Sequence, residues 1–341
     1  RALGAFGHRW PAPRLLSAAA LLLAITGAAF GSASGFWPLL VIAFVGTLNP
    51  SAGDVSVFLP LEHARLATLF DGDARTRAFA RYTIVGSLSA ALGALLAGLP
   101  AWLAAAQQVD PLVTMRAMFV LYGAVGVGVW ALYRGLPADP RRAGQAESAP
   151  LDASRPVVVR LALLFSVDAF AGGLVVNALL ALWLSTRFGL SAAQAGAFFF
   201  WAGLLTTASQ WLAPKVAERI GLLNTMVFTH IPANLCLIGA AFATTLPLAL
   251  ALLFLRSALS QMDVPTRSAF VMAMVTPAER PAAASFTAVP RSLAAALSPA
   301  LGGAMFAAGF TAMPLALCGA LKIGYDLALW TAFRSHAGEN R

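Results

Sequence analysis

Ten apolar segments, each long enough to cross a lipid bilayer, follow one another along this chain of 341 residues. A membrane-spanning helix needs about 20 predominantly apolar residues. The segments are 15–33, 35–58, 79–103, 111–133, 157–184, 191–213, 222–244, 246–271, 282–310 and 313–333. Only 11% of the residues are charged, against about 25% in soluble domains. The sequence therefore predicts an all-α polytopic membrane protein.

Basic residues are distributed unevenly between the loops on the two sides of the predicted membrane. One set of alternating loops carries nearly all of them, and the other set carries only Arg116 and Arg187. Loops rich in arginine and lysine stay in the cytoplasm. These loops also account for the net charge of +9, so we expect no nucleic-acid partner. We expect a multi-pass protein of the cell (inner) membrane whose linker and carboxy terminus are cytoplasmic.

One long polar stretch interrupts the apolar segments. Residues 135–156, GLPADPRRAGQAESAPLDASRP, are rich in proline, alanine and charge, a composition typical of a linker. This linker separates an amino-terminal bundle, 1–134, from a six-helix carboxy-terminal bundle, 157–334. Residues 335–341 would form a cytoplasmic tail.

Short similar sequences recur in the two halves in the same order, which indicates an internal repeat. The aligned pairs include Ser51 with Ser260, Asp54 with Asp263, Trp130 with Trp330 and Arg134 with Arg334. The alternative is that alanine-rich helices match through generic packing residues. If the repeat is real, the first half would begin about 50 residues before Arg1, which leaves room for two more helices of about 20 residues. The complete plan would be six helices plus six.

This plan resembles the major facilitator superfamily, in which parallel repeats surround a transport site. The resemblance covers essentially the whole chain and makes the ten segments family helices 3–12, with helices 1 and 2 missing. Ala217-Glu-Arg-Ile-Gly221 is similar to the family's cytoplasmic motif after helix 8, whereas Gly7-His-Arg-Trp10 is a poor first copy. The resemblance implies that Glu218 and Arg219 belong to a conformational latch. Ser298-Pro-Ala-Leu-Gly-Gly303 is similar to a drug-antiporter motif of family helix 5, but here it lies in helix 11.

Charged side chains within the segment 246–271 cannot face lipid, so they must face protein or a water-filled cavity. Arg256, Ser260, Asp263 and Arg267 fall on one face of a continuous helix at 100° per residue. We assign Arg256 and Ser260 to the substrate or proton pathway. Asp263 and Arg267, four residues apart, are interpreted as a latch. The corresponding pathway residues of the first half are Asn49, Ser51 and Asp54.

The segment 157–184 carries Asp168 at mid-depth, followed by Gly172-Gly173 and then Asn177. Asp168 and Asn177 can face the same cavity only if this helix is broken, which the resemblance allows, and the two glycines would loosen the helix for rocking. Both residues are pathway candidates, together with Arg291. The alternative for Asp168 is a structural ion pair with Arg256 or Arg291.

Two further polar positions have structural interpretations. Lys322 and Asp326 lie four residues apart and are predicted to neutralise each other. His230 is predicted to be a packed, hydrogen-bonded residue rather than a proton carrier.

The resemblance implies secondary active transport by alternating access. We expect proton-coupled export of a small organic solute or drug, with Asp54 or Asp168 as the proton carrier and no cofactor. The alternatives are uptake or facilitated diffusion of an organic anion, and a membrane sensor or scaffold that does not transport. The four histidines are scattered, so the clustered groups that an enzyme site needs are missing and we expect no enzyme. The expected partners are the solute and the bilayer, and the chain is expected to be monomeric.

Overall fold

The computed structural model describes residues 12–46, 58–69, 72–137 and 151–334, and all regular elements in these ranges are helices. In chain order they are α1 (Ala12–Ser32), α2 (Phe36–Val45), α3 (Phe58–Leu69), α4 (Gly72–Leu96), α5 (Leu99–Gln107), α6 (Pro111–Tyr133), α7 (Arg155–Gly173), α8 (Asn177–Phe188), α9 (Ala192–Ile220), α10 (Leu222–Ala241), α11 (Leu246–Leu259), α12 (Asp263–Ala273), the short 3-10 helix Pro277–Glu279, α13 (Arg280–Ala307) and α14 (Met313–Phe333). The all-α fold predicted from the sequence is confirmed.

The chain forms two compact units, Arg1–Ala143 and Gly144–Arg341, and the boundary between them falls inside the predicted linker 135–156. In the first unit, α1 packs along α6. A Cβ atom at Gly27 would come within 2.3 Å of the Gly123 backbone, so these helices cross at backbone contact, as small residues allow in membranes. Glu62 on α3 accepts hydrogen bonds from the hydroxyls of Tyr82 on α4 and Tyr133 on α6. This carboxylate ties three helices together.

Seven helical stretches of the described ranges are long and apolar enough to cross a membrane. They are Pro13–Ser32, Arg81–Gln107, Pro111–Tyr133, Arg155–Phe188, Leu222–Ala241, Leu246–Ala273 and Met313–Phe333. They correspond to seven of the ten predicted segments. Two more, 191–213 and 282–310, overlap almost completely with the long helices α9 and α13. The tenth, 35–58, contains the apolar helix α2, and its remainder extends beyond the described residues.

Large apolar side chains point outward along these helices, as a lipid environment requires. Phe44 is 90% exposed and Trp37 is 72% exposed. Lipid tails are as apolar as these side chains, so their exposure carries no penalty in a bilayer. The exposed apolar surface supports the assignment of a membrane protein.

Two predicted spans of the second unit are interrupted in mid-course. The segment 157–184 divides into α7 and α8 at residues 174–176, just after Gly173, so this helix is broken as the resemblance allows. The segment 246–271 divides into α11 and α12 at residues 260–262. The prediction of one continuous helix from Arg256 to Arg267 is therefore wrong, because the helix is interrupted at residues 260–262.

The core of the second unit consists of two apolar clusters. One includes Leu174, Trp183 and Leu253, and the other includes Phe165, Met226, Phe270 and Leu329. Each of α7, α10 and α14 contributes to both clusters. Along the chain, certain charged or ionisable residues lie between a residue of one cluster and a residue of the other. We name them the polar layer: Asp168, His230, Arg256, Asp263, Arg267 and Lys322.

The repeat proposed from the sequence has a geometric counterpart at the ends of α6 and α14. The guanidinium carbon of Arg134 lies 4.9 Å from the ring centre of Trp130, and that of Arg334 lies 5.0 Å from the ring centre of Trp330. Both are cation–π contacts one helical turn apart. Equivalent positions of the two halves thus form the same local structure.

Candidate functional site

Asp168 lies at the centre of the polar layer in the second unit. Its side chain is buried, and each carboxylate oxygen accepts a hydrogen bond from a different helix. Arg267 on α12 donates from Nη2 to Oδ2 at 2.9 Å, and Lys322 on α14 donates from Nζ to Oδ1 at 2.5 Å. One carboxylate therefore joins α7, α12 and α14.

A second carboxylate completes this arrangement. Asp263, one turn before Arg267 on α12, accepts a hydrogen bond from the same Nη2 atom, so the predicted pairing of these two residues is confirmed. The Arg267 guanidinium also lies 5.3 Å from the ring centre of Phe165. We name Asp168, Asp263, Arg267 and Lys322 the charged quartet. Its two acids and two bases balance, which is the condition under which buried charges are tolerated.

A histidine and an aspartate form a separate buried pair between α10 and α14. The Nδ1 atom of His230 lies 3.0 Å from both carboxylate oxygens of Asp326. His230 is 3% exposed and Asp326 is 1% exposed. The prediction that His230 is packed and hydrogen-bonded is confirmed. The predicted pair of Lys322 with Asp326 is wrong, because each side chain bonds a residue of another helix.

The pairing predicted for Asp168 also needs correction. The sequence offered Arg256 or Arg291 as its structural partner, and the structure gives Arg267 and Lys322 instead. Arg291 is exposed on α13. These partners come from helices about 100 and 150 residues away, and sequence spacing carries no information about such contacts.

Arg256 differs from the other basic residues of the polar layer. It lies partly buried in the last turn of α11, and its buried Nε atom has no hydrogen-bond partner. No ion pair to Arg256 occurs within the described parts of the chain. Arg256 is thus not bonded to the charged quartet.

The remaining predicted pathway residues occupy varied positions. Ser260 is buried directly after α11, where its N–H donates to the Arg256 carbonyl at 2.8 Å. Asn177 is the first residue of α8, at the break after α7, and is partly buried. Asn49, Ser51 and Asp54 lie outside the described residues. Their assignment to the pathway stays a prediction.

The predicted latch motif lies at the end of α9. Glu218 and Arg219 are both exposed there, and Gly221 adopts a φ of 85° in the turn to α10. Neither Glu218 nor Arg219 forms an ion pair with a residue that the structure describes. The latch role of these two residues stays a prediction.

Glu279 is a polar anchor that the sequence analysis missed. Its carboxylate accepts hydrogen bonds from the backbone N–H of Asp152 at 2.6 Å and of Ser154 at 3.2 Å, and from the Thr276 hydroxyl at 2.9 Å. It thereby fastens the end of the linker, before α7, to the turn before α13. The spacing Thr276-Pro-Ala-Glu279 is a helix-capping pattern, which was the available signal.

Replacing Glu279 with glutamine is expected to lower the melting temperature of the detergent-solubilised protein at neutral pH. Hydrogen bonds from the Ser154 side chain and the Asp152 backbone lower the pKa of Glu279 from 4.5 to about 2. A lowered pKa means that the folded state favours the ionised carboxylate. The difference between wild type and Glu279→Gln should be full above pH 4.5 and should shrink as the pH falls from 4.5 towards 2.

The matched control for Glu279→Gln is Asp152→Asn, an exposed carboxylate of the same segment. Its substitution should leave the melting temperature unchanged at every pH. A difference between wild type and Glu279→Gln that stays constant from pH 7 to pH 3 would contradict an ionised anchor.

Comparison with known proteins relates this chain to a family of membrane proteins. A family model described as Major Facilitator Superfamily matches residues 2–262. An uncharacterized membrane protein of Saccharomyces cerevisiae, YJR124C, is 23% identical over 363 aligned positions, which cover 96% of this chain and 81% of the yeast protein.

Solved structures share the fold at low sequence identity. The D-xylose–proton symporter is 17% identical with a TM-score of 0.73, and the alignment covers 96% of this chain and 83% of that one. The nucleoside transporter NupG is 16% identical with a TM-score of 0.70, with 98% and 85% covered. At this level of identity the likeness concerns the fold alone.

Proposed function

The chain belongs to the major facilitator superfamily, and on that premise we propose that it is a proton-coupled exporter of a small organic solute in the cell membrane. Membrane transport follows from the family and the fold. The direction, the coupling ion and the solute are our proposal, as is the monomeric state. The solved relatives named above transport a sugar and nucleosides, so the choice of solute must be argued from the residues of this chain.

The observation that carries the proposal is the position of Asp168 in the charged quartet. A carboxylate is the group that can take up and release a proton, whereas Arg267 stays charged throughout. Asp168 bonds two cations on two other helices. Protonation of Asp168 would leave Arg267 with Asp263 alone and would leave Lys322 without its carboxylate. Proton binding and the contacts among α7, α12 and α14 are therefore linked.

The two helix breaks are the places where protonation of Asp168 could move one part of a helix relative to the other. Asp168 lies within two turns of the break at 174–176, and Asp263 begins α12 immediately after the break at 260–262. A packed helix does not bend continuously, but it can pivot where its backbone hydrogen bonds are already interrupted. We infer that loss of the Asp168 bonds changes the angle between the halves of each broken helix, and that this change opens the solute path to one side.

The proposal is tested by measuring proton movement driven by solutes in liposomes that contain the purified protein. Vesicles enclosing the pH dye pyranine at pH 6.0 are placed at pH 7.5 with p-aminohippurate, tetraethylammonium or D-xylose as anionic, cationic and neutral probes. Antiport predicts that entry of one probe class raises the internal pH beyond the leak of protein-free vesicles. Radiolabelled probe entry is measured in parallel.

Two results would contradict the proposal in different ways. Probe entry without any change of the internal pH would show uncoupled transport. Probe entry that lowers the internal pH would show symport and would reverse the proposed direction.

A further inference from the structure

Arg256 is the one basic residue among the described polar-layer residues for which the structure shows no anionic partner. A guanidinium away from water is tolerated when an anion accepts its hydrogen bonds. The buried Nε atom of Arg256 has no such acceptor. Arg267 also has an unpartnered Nε atom, but its Nη2 atom bonds Asp168 and Asp263.

No carboxylate in the described part of the second unit serves as the anionic partner of Arg256. Asp168 and Asp263 bond Arg267, Asp326 bonds His230, and Glu279 bonds the backbone near α7. The two others are exposed: Asp152 lies in the linker before α7, and Glu218 lies in the last turn of α9. The partial negative charge at the end of α11 is a smaller compensation than a full anion. The partner of Arg256 must therefore come from outside this set.

The surroundings of Arg256 suit an anionic group in particular. Leu253, one turn before Arg256 on α11, and Cys318, one turn before Lys322 on α14, belong to the same apolar cluster. Both cations therefore follow directly on one cluster, and the carboxylate that Lys322 bonds, Asp168, is shared with Arg267. The planar fork of a guanidinium matches a carboxylate, with two parallel N–H···O bonds.

We propose that Arg256 binds the carboxylate of the transported solute while Asp168 is ionised and bonded to Lys322. This inference rests on the proposed function, and it assigns the solute to the class of small organic carboxylates. Protonation of Asp168 would release Lys322 and change the angle at the break after α11, close to Arg256. The solute would then leave as the proton binds, as antiport requires.

The site is tested by thermal unfolding of the full chain in detergent with three probes of one shape: benzoate, benzamide and benzylammonium. Benzoate is expected to raise the melting temperature, and the uncharged and cationic analogues are not. Arg256→Gln should raise the dissociation constant for benzoate at least 30-fold. Arg256→Lys, which keeps the charge and loses the fork, should raise it about tenfold. Arg187→Gln, an exposed arginine at the end of α8, should bind benzoate as wild type does.

The melting temperature of the free protein, measured without any probe, distinguishes a solute-binding role of Arg256 from a purely structural one. If Arg256 binds solute, Arg256→Met should leave the melting temperature of the free protein unchanged or raised, because an uncompensated cation is removed. If Arg256 holds the fold together, Arg256→Met should lower it. A lowered melting temperature, or a benzoate shift that persists in Arg256→Gln, overturns the proposal. Stabilisation by inorganic phosphate but not by benzoate would overturn the assignment to organic carboxylates.

The outcomes also separate this inference from the proposed function. Benzoate binding that depends on Arg256, with no solute-driven proton movement in vesicles, would keep the anion site and contradict proton-coupled export. Proton-coupled movement of tetraethylammonium without benzoate binding would support proton-coupled export and contradict the anion site.

Discussion

Replacement of Asp168 by asparagine is expected to abolish solute-driven proton movement and to destabilise the second unit by about 3–5 kcal/mol, the usual cost of removing one partner from a buried ion pair. Two buried cations lose a charged acceptor in this variant, and an amide cannot carry the proton. Transport is measured with pyranine-loaded vesicles, and stability is measured by thermal unfolding in detergent.

The loss of stability and the loss of coupling can be separated by a second substitution. In Asp168→Asn with Lys322→Met, one cation is removed along with the anion, so the quartet regains charge balance. This double variant should recover part of the melting temperature and none of the proton movement. Asp110→Asn is the matched control, because Asp110 caps α6 through a hydrogen bond to the Leu112 N–H and asparagine caps equally well. Full proton coupling in Asp168→Asn would contradict the proposed role.

A side chain at Gly302 is expected to disrupt the crossing of α13 with the break between α7 and α8. A Cβ atom there would lie 2.6 Å from the Leu174 carbonyl oxygen and 3.0 Å from Leu179 Cδ1. The backbone of α7 cannot move aside without disturbing Asp168, six residues earlier. Gly302→Ala should therefore destabilise the protein by about 1–3 kcal/mol, the usual cost of overpacking a closely packed site.

The neighbouring glycine provides a matched control. A Cβ atom at Gly303 would meet nothing within 4 Å, so Gly303→Ala should leave the melting temperature unchanged or slightly raised, because alanine favours helix. Equal effects of the two substitutions, measured by thermal unfolding, would contradict the close crossing at Gly302.

Contacts between residues close together in the chain could be predicted from the sequence. The hydrogen bond between Asp263 and Arg267 follows from spacing on one helical turn, and the break at 174–176 comes directly after the two glycines that were expected to loosen the helix. The cation–π pairs of Trp130 with Arg134 and of Trp330 with Arg334 were visible as repeated sequence. Each of these features depends on residues a few positions apart.

The contacts of the candidate site could not be predicted from the sequence, because they join residues that are far apart in the chain. Lys322 lies four residues from Asp326, yet it bonds Asp168, because the helix it packs against presents a carboxylate at the right depth. The unpartnered state of Arg256 is likewise visible only after the other carboxylates have been assigned. Helical spacing describes one helix, and these bonds join several.

The sequence by itself determined that the chain is a membrane protein with many helices. Each helix that crosses a bilayer satisfies its own backbone hydrogen bonds, so each one can be recognised separately as a long apolar stretch of sequence. The sequence also determined the family and the positions of the charges within those stretches. Only the tertiary structure decided which charges meet, that α11 ends before Ser260, and that Glu279 anchors the start of α7. These features depend on how helices that are distant in the sequence pack side by side. The positive and negative charges that balance each other in the quartet come from three different helices.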